Sequence, residues 1–130
     1  MKGLMTTPDE ILNFWFGKLN DGFADDEHRK CWFSGGESFD AQIRKNFAVT
    51  VQAAADGARE SWLQQPRNRL AYILITDQFP RNLFRGTAKA YGLDSQALDA
   101  ARTGITAGMD RALIYDERSF FYMPFEHSES

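Results

Sequence analysis

A chain of 130 residues, 43% hydrophobic and 14% aromatic, is one domain's worth of polypeptide, long enough to bury about two thirds of its unfolded surface around a real core. Its net charge of −3 and the absence of a basic stripe argue against nucleic-acid binding, which leans on basic patches. One cysteine, Cys31, excludes an internal disulfide framework and suits a reducing compartment, while no apolar stretch reaches about 18 residues, so a cytoplasmic protein with neither signal peptide nor membrane span is expected.

Thr7-Pro8-Asp9-Glu10 has the pattern of a capping box with proline at the first helical position, ahead of Ile11, Leu12, Phe14, Trp15 and Phe16. Gly17 stops that helix, and residues 18–27 read as a polar loop or a short helix entrance. Asp25, Asp26 and Glu27 have the acidity of a solvated helix start. His28 and Cys31 form at most half of a metal motif, so no metal site and no cofactor are expected. Trp15 and Trp32 each sit beside a chain break, where a ring can wall a pocket; core packing is the ordinary fate of such rings. After the Ser34-Gly35-Gly36 turn, Phe39, Ile43, Phe47, Val51 and Ala54 recur at helical spacing, an amphipathic helix of about five turns ending near Gly57.

Ala58 to Gln64 holds Trp62 and Leu63, and Arg67 or Asn68 then opens the central element. From Leu70 to Ile75 apolar residues cover nearly every angle of a helix, as expected for a segment surrounded on several sides. A buried strand is the competing reading, but the chain has no second run to pair with it. Pro80 lacks an N–H and would clash with the carbonyl of Thr76, so the helix should end or kink near Gln78 and Phe79. Asp77 and Gln78 sit at that break, followed by Arg81, Asn82 and Arg85. On a helical turn Arg81 and Arg85 are i,i+4 neighbours and would form a clamp for a carboxylate or phosphate. The plainer reading pairs Arg81 with Asp77 and sets Arg85 on free carbonyls as a lock at the kink.

Beyond Gly86, Thr87 is expected to cap a short turn through Tyr91, and Asp94 or Ser95 a helix striped by Ala97, Leu98, Ala101 and Ile105, loosened or ended by Gly104 and Gly108. The segment from Asp116 to Ser130 is too apolar to be a free tail and must dock on the body. Within it Pro124 is expected to break a helix again, beside Glu126, His127, Ser128 and Glu129. The QFPRN and YMPFEHSE segments thus share one design, an aromatic helix end, a proline and then charge. Should they meet, the pocket holds Asp77, Arg81, Asn82 and Arg85 opposite Tyr122, Glu126 and His127. His127 is the natural acid/base switch there, with Glu126, Glu129 or Asp77 to orient it. No G-x-S-x-G elbow, Walker loop or dinucleotide fingerprint occurs.

Through DQFPRNLFRGTAKAY (77–91), FFYMPFEHSE (120–129), ILNFWFG (11–17) and the CWF of residues 31–33, the sequence resembles the bacterial domain of unknown function family 924 over almost its whole length. The motif residues matched are Trp15, Trp32, Asp77, Gln78, Arg81, Asn82, Arg85, Gly86, Tyr122, Pro124, His127 and Glu129. The resemblance implies an all-α single domain of antiparallel helical hairpins similar to a tetratricopeptide-like array, although the sequence carries no repeat of that kind. It implies no activity. Similar proteins usually continue past the HSE segment with further helix, so this chain is expected to be a short member or to lack C-terminal helices found in longer ones.

Three functions fit these residues. The favoured one is a binding module that holds an anionic small molecule or a peptide carboxylate through Asp77, Arg81, Asn82, Arg85, Tyr122, Glu126 and His127, with Trp15 and Trp32 as walls. The alternative is a small hydrolase with His127 as base, oriented by Glu126 or Asp77. The third makes both polar groups kink locks in a structural or protein-interaction domain.

Overall fold

The first two helix starts follow the capping chemistry of the sequence, and the described residues build an all-α fold. A computed structural model describes residues 6–128. Thr7 Oγ1 accepts the N–H of Glu10 and Pro8 occupies the first turn of α1 (Pro8–Phe16), which Gly17 ends at a positive φ. Asp25 caps α2 (Asp26–Ser34) by accepting the N–H of His28. The third helix, α3 (Gly36–Ala55), buries Phe39, Ile43, Phe47, Val51 and Ala54, the stripe expected from their spacing. No strand forms among the described residues; an isolated bridge joins Asn20 and Phe23.

The central rod departs from expectation. It starts at Pro66, one to two residues early, because proline is at ease in a first turn where its missing N–H has no partner to lose. It then runs as α4 (Pro66–Ile73), a π-helical turn (Leu74–Gln78) and α5 (Phe79–Leu83), so that the end or kink expected near Gln78 and Phe79 takes the form of a widened turn through which the rod continues. The N–H of Phe79 bonds the carbonyl of Leu74, five residues back. That wider turn takes the Thr76 carbonyl out of the path of the Pro80 ring, so the chain absorbs the proline by adding a residue to one turn. Residues Leu70 to Ile75 are all buried, as the all-round apolar pattern requires, and burial extends to the polar Arg69, Thr76 and Asp77 on either side.

A 3₁₀ turn at Ala88–Tyr91 leads to α6 (Asp94–Thr106), and another at Met109–Ala112 to α7 (Tyr115–Ser128). The expected caps are not used: Thr87 Oγ1 donates to the Phe84 carbonyl, and Asp94 is already inside α6, its carboxylate taken by Arg81. Gly104 neither loosens nor ends α6 but lies buried where α6 meets α7, and a Cβ there would stand 2.6 Å from Phe121 Cζ. Pro124 sits inside α7, which continues to Ser128, so the second expected break is absent. Counting α4, the π turn and α5 as one rod, the described residues form six helical rods in a single all-α domain.

The core gathers Trp15 and Phe16 of α1, the buried stripe of α3, Leu70 to Ile75, Phe79, and Phe120 and Phe121 of α7. Buried Arg69 bolts the start of the rod to its neighbours, donating to the carbonyls of Leu63 and Ala100 and to Thr103 Oγ1. Desolvation lowers its pKa. No helix among the described residues is long and apolar enough to cross a membrane.

Candidate functional site

Widening one turn of the rod turns Asp77 inward, where it is 1% exposed. Its carboxylate stands 2.7 Å from His127 Nδ1, near the end of α7, and accepts from Gln78 Nε2 at 3.0 Å. Arg81 Nη1 lies 3.6 Å from the same carboxylate and donates to the Asp77 backbone carbonyl. The two proline-containing segments therefore do meet, through Asp77 and His127.

Both arginines, however, are engaged by acids of the chain itself. Arg81 makes a two-pronged pair with Asp94 at 2.9 and 3.0 Å and lies over the Tyr91 ring. Arg85 grips Asp40 of α3 through Nε and Nη2 at 2.8 and 2.9 Å, and Asn82 donates to the same carboxylate at 2.8 Å. The bonded Arg85 holds the buried Asp40 carboxyl below the usual carboxylate range, outweighing desolvation, with Asn82 adding to the effect. These are the fork geometries an external carboxylate would need, already filled.

Other expected members lie elsewhere. Tyr122 Oη donates to Asp110 in the 3₁₀ turn before α7, and that bond, then burial, raises the phenol's pKa. Glu126 is exposed, and Glu129 falls outside the described residues. Trp15 is buried and stacked on Trp32 with centroids 6.0 Å apart, and Trp32 Nε1 donates to the Trp15 carbonyl. Trp15 is thus a core ring. Trp32 is partly exposed and shares a hollow of about 300 Å³ with Arg85 around Gly35 and Gly36.

The arginine knots frame a larger feature that sequence reasoning missed. Between α3 and the segment from Leu83 to Leu93 runs a trough of about 420 Å³, a size typical of small-molecule sites. One wall is Arg44, Ala48, Val51, Gln52 and Ala55; the other includes Leu83, Phe84, Lys89 and Leu93. Among the described residues that line it, two are cationic and none is acidic, in a chain of net charge −3. Lys89 Nζ lies over the Phe84 ring. The available signals were Asp40, an acid on the apolar face of a helix, and the small residues Ala48 and Ala55, which leave room beside α3.

An all-α domain with buried carboxylates cross-tied by arginines around an apolar trough is the class that fold and geometry define. The chain belongs to the family described as "Bacterial protein of unknown function (DUF924)", whose profile matches residues 11–130. It is similar to the solved structure of the protein of unknown function ATU0120 from Agrobacterium tumefaciens, with 36% identity and a TM-score of 0.82 over 95% of this chain. The chain spans 65% of the length of that structure. No match was found among curated proteins.

Proposed function

We propose that the protein is a binding module for a small anion that carries an apolar part, and that the trough beside α3 is where it binds. The observation that supports this is the pairing of an apolar floor with Arg44 and Lys89 and no lining acid. Arg81 and Arg85 serve this reading as struts. The Arg85–Asp40 and Arg81–Asp94 pairs tie α5, and with it the Leu83–Phe84 wall, to α3 on one side and to α6 on the other. For the helix arrangement we retain a tetratricopeptide-like reading, supported by the packing of the successive helices α6 and α7.

Titration calorimetry with naphthoate, dodecanoate and inorganic phosphate tests the reading. Binding of at least one of the two amphipathic anions, lost in Arg44→Glu/Lys89→Glu, is the expected result. Failure of both to bind, or binding that the double charge reversal leaves intact, would overturn it.

A second reading is favoured by the Asp77–His127 contact. A buried carboxylate on Nδ1 orients the imidazole ring, as an acid partner does for a general base. Hydrolysis of a generic ester that disappears in both His127→Ala and Asp77→Asn, each still folded, would favour it over binding alone.

A further inference from the structure

The trough has two unlike ends. Arg85, next to Phe84, is bonded to Asp40, one turn before Arg44 along α3. Gln96, three residues past Leu93, donates to the carbonyl of Ala54, at the far end of α3. The second wall therefore runs alongside α3, with Phe84 toward the Arg44 end and Leu93 toward the Ala55 end. Lys89 reaches back over Phe84, 5.7 Å from its centroid, so both cations gather at the first end. Val51, Ala55 and Leu93 make the other end largely apolar, and its polar lining residue, Gln52, is turned to Asp56. From Arg44 to Ala55 is eleven residues of helix, or about 16 Å of trough at 1.5 Å per residue.

We infer that the ligand is a single-chain amphiphile, with an anionic head between Arg44 and Lys89 and an unbranched alkyl tail laid along α3 toward Leu93 and Ala55. This rests on the binding reading above and narrows it to one class of ligand. The cations are available to such a head. Arg44 meets Glu37 only at 3.4 Å, between side chains 52% and 78% exposed, a weak tie that an incoming anion can replace. Asp56, the acid nearest the apolar end in sequence, is bonded by Gln52. Asp40 and Asp94 are held by Arg85 and Arg81. A tail is equally well served, because an aliphatic floor rewards each methylene removed from water and makes no demand for a polar partner.

The test is a chain-length series by calorimetry below micellar concentrations: hexanoate, octanoate, decanoate, dodecanoate and tetradecanoate, with dodecyl phosphate, dodecanol and dodecyltrimethylammonium beside them. Affinity should rise by about fourfold per added methylene and level off once the tail outruns the trough. Dodecanoate or dodecyl phosphate should bind, and whichever binds more tightly identifies the head. Lys89→Glu should weaken dodecanoate binding about tenfold or more. Ala48→Trp, which fills the trough without altering charge, should abolish binding, and circular dichroism shows that each variant is folded. Naphthoate binding with no dependence on alkyl length would end this inference and leave the binding reading standing. Equal affinity for the cationic amphiphile would end it too, as would a dimer, seen by sedimentation, that Ala48→Trp dissociates, since the occupant would then be a second copy.

Discussion

His127 Nδ1 and Asp77 Oδ1 lie 2.7 Å apart although fifty residues separate them in the chain, and this contact pins the end of α7 to the π turn. Asp77 is nearly inaccessible, so removing one partner leaves a carboxylate that water cannot fully serve. Gln78 and Arg81 remain, which limits the loss. We expect His127→Ala to cost about 1–3 kcal/mol in urea unfolding. In a cycle with Asp77→Asn the coupling should exceed about 0.5 kcal/mol; strict additivity would show that the contact contributes nothing of its own.

The Asp40–Arg85 pair is lopsided, with the Asp40 side chain 4% exposed and that of Arg85 63%. Deleting the arginine strands a buried charge, whereas deleting the acid frees an arginine that solvent already reaches. Arg85→Ala should therefore cost more than the roughly 0–1 kcal/mol of a surface pair, on the order of 2–3 kcal/mol. The pH dependence has a definite sign. The folded-state pKa of Asp40 lies below its unfolded value near 3.8, so its contribution is complete above that pH and is lost as pH falls through the lower native value. The stability gap between wild type and Arg85→Ala should narrow on acidification below pH 3.8; a constant gap in urea melts would refute this.

Asp110 holds the phenolic proton of Tyr122, raising its pKa from 10.0. Ultraviolet titration should show Tyr122 ionising above pH 10.0, and Tyr122→Phe or Asp110→Asn should remove that component. A raised folded-state value means that this contribution is present below pH 10.0 and is lost as pH rises through the native value.

Inside a helix, alanine normally gains about 0.5–1 kcal/mol over glycine. At Gly104 the reverse is expected. The added methyl would stand 2.6 Å from Phe121 Cζ and 2.7 Å from Arg69 Cδ, and both neighbours are held, one as a fully buried ring and the other by hydrogen bonds to backbone carbonyls. Gly104→Ala should lower stability by about 1–3 kcal/mol, read as a drop in melting temperature. An unchanged or higher Tm would show that α6 and α7 can part.

Periodicity made the helices legible, because burial and spacing obey the same geometry. The Thr7 cap, the α3 stripe and the all-round burial of Leu70 to Ile75 each needed only nearby residues. The prolines were only half legible: a local rule ends or kinks a helix at Pro80 and breaks one at Pro124, whereas the chain widens one turn ahead of Pro80 and α7 continues past Pro124. Asp77 and His127 could be paired from the likeness of their surroundings. Asp40 could not be matched to Arg85, because 45 residues and a change of helix lie between them and an acid in the first turns of a helix looks like a dipole partner. Asp94 misled for the same reason: it resembles a cap and serves as the counter-ion of Arg81.

The π turn is a one-residue insertion frozen into the middle of the molecule, and it sets the phase of everything downstream. Each helical residue advances the rotation by about 100°, so excising one residue between Leu74 and Gln78 would keep the apolar content of the rod intact while swinging Asn82 and Arg85 off Asp40. The register of a single loop of backbone thus decides whether the polar side chains beyond it have anything to hold, and a deletion there should be far more damaging than a substitution at any one of those positions.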